Sequence, residues 1–248
     1  MVEREEKKEI KFKTYINSYV FFCFVWYNVI MDYKEILNSD YFKESYTKIE
    51  ELKKDFYVNH GFIHINNVIS NAKYLADVFC LDSRQKDLLL VASALHDIGY
   101  LRGREDHAAN GGVLACEYLK DKMCKEDVDL ICDAIANHGG KRDDDYRCPI
   151  SMCLILADKF DFTKDRYQDD GKEHTKLPLF LSIEKIILTR VDINNFILKI
   201  YTTNKQLFDN LEDSYFFKKL FEIFIRLKNV CGYDVKVEFV DYKKNCII

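Results

Sequence analysis

The sequence contains little proline and glycine, with two prolines and nine glycines in 248 residues. That is too few for long disordered linkers, and no internal repeat or low-complexity tract is present. Hydrophobic residues make up 48% and charged residues 31% of the chain. This balance is typical of one globular domain with a small appendage.

The chain also lacks an excess of charge of one sign. Its formal net charge is −4, and acidic and basic residues are interspersed. Proteins that bind nucleic acid polymers usually present a broad basic surface. We therefore expect no such polymer as a partner.

The nine cysteines include no CxxC pair, and an odd number cannot all pair within the chain. Most of them occupy apolar positions of predicted helices. We therefore expect buried, reduced thiols, a cytoplasmic protein and no zinc finger.

An apolar stretch near the start, INSYVFFCFVWYNVI at residues 16–30, is shorter than the roughly 20 residues of a membrane-spanning helix. The segment before it has mixed charge, and no small-residue cleavage site follows. Residues 16–30 could be a docking strand or helix, a short membrane anchor, or part of an upstream extension not normally made, since Met31 opens a conventional-looking segment. We assign residues 1–40 to an N-terminal extension and expect no stable membrane insertion.

Hydrophobic periodicity predicts helices in the central part of the chain. Apolar residues recur at spacings of three and four in residues 41–56 and again from His64 onward. Residues 86–97 are apolar on nearly all sides, which predicts a buried central helix that Gly99 ends. Further helices are predicted at residues 107–122, 127–137 and 149–162, with a charged loop at 141–148.

The composition changes after about residue 175. EKIILTRV and NNFILKIYTT are rich in β-branched residues and flank a turn, and DVKVEFVDY alternates as a strand does. Between them lies a predicted helix at 205–230 with a bend near Asp213. The sequence thus predicts a helical domain at 41–175 and a small ββαβ tail at 176–248.

Imidazoles and carboxylates stand at the ends or on the inward faces of the predicted helices. Burying several such acids without a compensating positive charge would cost several kcal/mol each. A metal ion supplies that charge, and imidazole with carboxylate suits transition metals. The candidate ligands are His64, His96, Asp97, His107, His138 and Asp158.

The order of these residues resembles the HD superfamily of metal-dependent phosphohydrolases. The resemblance lies in HINNVISNA, ALHDIGY, HAANGG, IANHGG and LADKFD, between about residues 60 and 167. It implies a mainly α fold, an HD-domain helical bundle beside the small α+β tail. It also implies one or two divalent transition metal ions as cofactor, with Mn, Fe, Zn, Ni and Co as candidates. His64, His96, Asp97 and Asp158 match the ligands of the basic site, and His107 and His138 match those of a second ion that Asp97 would bridge.

The resemblance further implies cleavage of a phosphoester or phosphoanhydride bond of a nucleotide or dinucleotide by metal-activated water. The motifs are most similar to small HD enzymes that cleave symmetrical dinucleoside polyphosphates, and also to HD-GYP phosphodiesterases. Tyr100 stands where those families usually have lysine, and the GYP element is absent. The exact substrate therefore stays open.

Polar residues beside the candidate ligands complete the expected site. We expect Asp97 to orient water, Lys159 to contact phosphate, and Asp161 to accept from a substrate hydroxyl or to support a ligand. Arginine matches the geometry of phosphate oxygens. The expected substrate contacts are Arg104, Arg166 and His60.

Two other functions are compatible with the sequence. The chain could be a regulatory HD module that binds a nucleotide without turnover, or a di-iron oxygenase, since one branch of this architecture uses an iron pair. The tail could form a homodimer, cover the active site or bind a regulator.

Overall fold

The structure, a computed structural model, describes residues 30–53, 58–169, 172, 174, 177–208 and 215–245. The apolar segment at 16–30, except for its last residue, and the predicted bend near Asp213 lie outside this range. Among the described residues, no helix is long and apolar enough to cross a membrane.

The larger part of the described chain is helical, as the hydrophobic periodicity predicts. The helices before the sheet are α1 (Tyr33–Asn38), α2 (Asp40–Lys53), α3 (Phe62–Val78), α4 (Ser83–Leu95), α5 (His107–Leu119), α6 (Lys125–Ala136), α7 (Asp144–Arg147), α8 (Pro149–Phe160) and α9 (Leu177–Ser182). Short 3-10 turns lie at Ile98–Arg102 and Lys164–Arg166.

Helix α4 is the centre of the bundle and packs against α1, α3, α6 and α8. Asp82 starts it with a capping box, because its side chain accepts from the Gln85 amide while the Gln85 side chain accepts from the Asp82 amide. Every residue from Leu88 to Leu95 is buried. This confirms the prediction of a central buried helix and places its C-terminal end, followed by His96 and Asp97, inside the core.

Two local features differ from the sequence-based expectations. The predicted loop at 141–148 contains the short helix α7. Cys116 and Cys132 form a disulfide between the adjacent helices α5 and α6, where their Cα atoms lie 5.7 Å apart. The expectation that every cysteine is a reduced thiol was therefore wrong for this pair, since sequence alone did not show that these helices pack side by side.

The C-terminal part is the predicted ββαβ unit. Its elements are β1 (Ile183–Arg190), β2 (Asn195–Thr202), α10 (Tyr215–Arg226), β3 (Asp234–Asp241) and α11 (Tyr242–Asn245). The strand order is β1-β2-β3, with β2 antiparallel to β1 and parallel to β3.

The sheet packs on the helical bundle rather than standing apart from it. Strand β1 contacts α3 and α8, and the side chains of Leu188 and Leu198 are fully buried. The Tyr74 hydroxyl on α3 donates to the Leu188 carbonyl over 2.8 Å. The described chain therefore has a mainly α fold, with a helical bundle and a small α+β part that share one core.

Candidate metal centre

Five helices bring the predicted ligands together in the core. His64 lies in the first turn of α3, and His96 and Asp97 follow the end of α4. The remaining ligands are His107 at the start of α5, His138 just after α6 and Asp158 near the end of α8.

Asp97 lies between two sets of imidazoles, and each of its oxygens faces a different set. Its Oδ2 atom lies 3.3 Å from Nε2 of His64 and 3.5 Å from Nε2 of His96. Its Oδ1 atom lies 3.7 Å from Nε2 of His138 and 3.9 Å from Nε2 of His107. This is the arrangement that a carboxylate needs to bridge two ions.

The donor atoms also group in a way that suits metal binding. Three sets have ligand atoms within 4.8 Å of one another. The sets are His64 with His96 and Asp158, Asp97 with His107 and His138, and Asp97 with His60 and His64.

The four predicted histidine ligands share one orientation, with Nδ1 on an acceptor and Nε2 toward Asp97. The acceptor of His64 is the Asp161 carboxylate, over 2.6 Å. The others donate to main-chain carbonyls: His96 to Ser93 over 2.9 Å, His138 to Ile135 over 2.8 Å and His107 to Arg104 over 3.1 Å. Because a carbonyl can only accept, Nδ1 carries the hydrogen in His96, His107 and His138, which leaves Nε2 as the atom that could bind a metal.

Both central carboxylates are ionised. Burial raises the pKa of Asp97, but His96 and hydrogen bonds from His60 and His64 hold it well below its usual range. Burial likewise raises the pKa of Asp158, and Lys159 and His64 outweigh it. Both buried carboxylates lie near Nε2 of His64, Asp97 at 3.3 Å and Asp158 at 3.4 Å, and their negative charges favour a cation at this place.

The pKa values of the buried imidazoles differ because their surroundings differ. Burial lowers the pKa of His138 to about 4 and that of His60 to about 3. Burial and Arg166 lower the pKa of His64. Its hydrogen bonds with the carboxylates of Asp158, Asp161 and Asp97 outweigh them and raise the pKa to about 10. His138 and His60 are therefore neutral near pH 7, the form in which imidazole binds a metal.

The family comparison covers the segment that contains this cluster. Residues 61–163 match the family model described as HD domain. This segment is an HD domain. A comparison with curated proteins found no match. HD domains are in general metal-dependent phosphohydrolases, so the domain type and the His/Asp cluster agree with each other.

A cavity of about 590 Å³ opens over the ligands of the HD domain. The predicted phosphate contacts Arg104, Lys159 and Arg166 line it. Lys159 pairs with Oδ2 of Asp158, so its ammonium lies beside one of the predicted ligands. The cavity is lined by both acidic and basic groups, which suits a metal together with a phosphorylated ligand.

Arg166 lies deeper than a loop position would suggest, with 8% of its surface exposed. Its Nε donates to the Asn59 carbonyl over 2.9 Å, and Nη2 lies 3.2 Å from both Nδ1 of His60 and Nε2 of His64. Together with Lys159, this guanidinium offsets the charge of Asp158 and Asp161. Arg166 therefore brings positive charge to the carboxylates beneath the cavity.

Sequence reasoning missed the role of Tyr100. Its ring stacks on His107 with centroids 4.3 Å apart and contacts His60 at 4.5 Å. The aromatic residue thus packs against two imidazoles that line the cavity. The position of Tyr100 directly after HD-x-x could have marked it as a residue near the site. Only the fold shows that its ring contacts His107 and His60.

Proposed function

We propose that this chain is a metal-dependent phosphohydrolase that cleaves a phosphoester or phosphoanhydride bond of a nucleotide or dinucleotide. One observation carries the proposal: the two oxygens of Asp97 face separate histidine sets within an HD domain. The donor set of imidazole nitrogens and carboxylate oxygens fits Mn, Fe, Zn, Ni or Co.

The proposed ligands are those whose atoms converge. His64, His96 and Asp158 would hold one ion, and His107 and His138 the other, with Asp97 shared. When bound, such ions would supply Lewis acidity that makes water a nucleophile near neutral pH.

The protein's own groups would position the reacting phosphate and water. Asp97 would orient water through its carboxylate, whose two oxygens face the two sets of histidines. Lys159 would offset charge that develops on phosphate oxygens, as it already contacts Asp158 at the edge of the cavity. Asp161 would hold the His64 ring, and His60 with Arg166 would border the reacting phosphate.

The proposed reaction site belongs to a domain at residues 41–175, with 176–248 as its tail. We propose that Arg104, at the exposed rim of the cavity, contacts the outer part of the substrate. The proposed partner is a phosphorylated small molecule. A nucleotide is our candidate, because its phosphates would meet the basic residues that line the cavity.

A substrate screen tests this function. Nucleoside monophosphates and triphosphates, dinucleoside polyphosphates and cyclic dinucleotides would each be incubated with the protein and Mn, Fe, Zn, Ni or Co. We expect one of these classes to release phosphate or a nucleotide in a metal-dependent way. Asp97→Ala should reduce this turnover to background, because it removes the group shared by both ligand sets.

The matched control is Asp87→Ala, which removes an exposed carboxylate from the same helix, α4. It should keep the activity of the unmutated protein. Near-normal turnover by Asp97→Ala would contradict the catalytic assignment, and tight nucleotide binding without product would indicate a binding module instead.

A further inference from the structure

The cavity over the metal centre extends beyond the HD domain. Two of its lining residues, Phe216 and Lys219, belong to α10 of the C-terminal part. They lie outside residues 61–163, the segment that matches the family. The tail therefore contributes to the wall of the pocket, although it holds none of the candidate metal ligands.

An aromatic stack joins the tail to the HD domain beside the cavity. The ring of Phe216 lies on that of Phe162, with centroids 3.6 Å apart and an angle of 9° between the planes. Phe162 also packs edge-on against Phe180. Because Phe162 directly follows Asp161, this stack fixes α10 close to the metal centre.

The same helix is anchored from its other side. Phe217 is fully buried in the core, as is Leu220. Phe216 and Lys219 are three residues apart, which puts them on neighbouring positions of one helix face. Lys219 therefore lines the cavity on a helix that the core holds in position.

Lys219 is more exposed than the two deeper cations of the cavity, Lys159 and Arg166, whose side chains are 24% and 10% exposed. Lys159 and Arg166 contact buried carboxylates and imidazoles of the centre. Lys219 pairs with Glu222 over 2.8 Å, and their side chains are 34% and 58% exposed. An ion pair this open to solvent is weak, so an anion in the cavity can compete for Lys219.

We propose that Lys219 binds an anionic group of the substrate beyond the phosphate that reacts at the metal centre. Phe216 places the lysine by stacking on Phe162. The substrate class is then a polyphosphate, in which further phosphates extend from the metal centre toward α10. This inference rests on the proposed function and narrows its substrate, since a monophosphate bound at the metal centre carries no further phosphate for Lys219.

Binding of inorganic tripolyphosphate and orthophosphate to the full-length, Mn-loaded protein tests the proposal by calorimetry. Lys219→Ala should weaken tripolyphosphate binding about fivefold, the effect of one partly exposed charge contact. Orthophosphate binding should stay unchanged. The matched control is Lys218→Ala, which removes the neighbouring exposed lysine of the same helix. Equal tripolyphosphate binding by both variants would overturn the proposal.

A second variant shifts binding in the opposite direction. Glu222→Gln removes the carboxylate that pairs with Lys219, so tripolyphosphate should bind more tightly, and only when Lys219 is present. Tighter binding that persists in the double variant Lys219→Ala with Glu222→Gln would contradict a role for this lysine.

Kinetics separate this inference from the function on which it rests. With a polyphosphate substrate, Lys219→Ala should raise KM and leave kcat and the metal content unchanged. If the unmutated protein hydrolyses nothing but Lys219→Ala still loses tripolyphosphate affinity, the hydrolase function fails and the polyphosphate site stands. If hydrolysis occurs and Lys219→Ala has the KM of Lys218→Ala, the site fails and the hydrolase function stands.

Discussion

Asp161 shows how a single residue prepares the metal centre without being one of its proposed ligands. Its carboxylate lies 2.6 Å from Nδ1 of His64, and both side chains are buried. The hydrogen bond fixes the ring and leaves Nε2 directed at Asp97. Partners of this kind usually set both the orientation and the basicity of a ligand.

We expect Asp161→Ala to lower metal affinity about 10–100-fold, the range for loss of such a partner. Asp161→Asn keeps an oxygen that can accept from Nδ1 and should recover part of the affinity. Titration of the metal-free protein with Mn measures both. Equal affinities of Asp161→Ala and the unmutated protein would show that Asp161 does not support His64.

Residue types and spacing predicted which side chains converge, because each stands at a helix end or on an inward face. For Asp161, the sequence left open whether it supports a ligand or accepts from substrate, and its contact with His64 favours support. The burial of Arg166 was not predictable, since its contacts with Asn59 and His64 join residues about a hundred positions apart.

At the scale of elements, the second ligand set depends on how closely α5 and α6 approach. A Cβ on Gly112 would lie 2.8 Å from the Cys132 carbonyl oxygen and 2.8 Å from Cβ of Ala136. Glycine therefore allows the two helices to pack at a distance that brings His107 and His138 together.

We expect Gly112→Ala to lower the free energy of unfolding by about 1–3 kcal/mol, because the added methyl group overpacks the helix contact. The separation of α5 and α6 should also weaken binding at His107 and His138. Urea denaturation and metal titration measure the two effects. The control is Gly139→Ala, where a Cβ meets nothing within 4 Å. Equal stability of both variants would contradict this account.

Element types followed from the sequence pattern. Helix α3 buries residues at helical spacing, α4 is apolar on nearly all sides, and β1 and β2 are rich in β-branched residues. The parallel pairing of β3 with β2 did not follow from it. Strand partners are set by how α10 crosses and packs, which a local pattern does not record.

At the scale of the whole molecule, the HD domain and the tail form one core and one cavity. The sequence left open whether the tail dimerises, covers the active site or binds a regulator. The positions of Phe216 and Lys219 in the cavity wall favour a tail that borders the site. Only long-range packing could reveal this, since the tail and the ligands are far apart in the chain.

The central claim is that helices from across the HD domain form one metal centre around Asp97, and metal content measures this directly. The protein would be stripped with chelator, reloaded with Mn, freed of unbound ion and analysed for metal per chain. We predict about two ions in the unmutated protein and in Asp87→Ala, about one in His107→Ala or His138→Ala, and severe loss in Asp97→Ala. An unmutated protein without bound metal, or full occupancy in Asp97→Ala, would contradict the account.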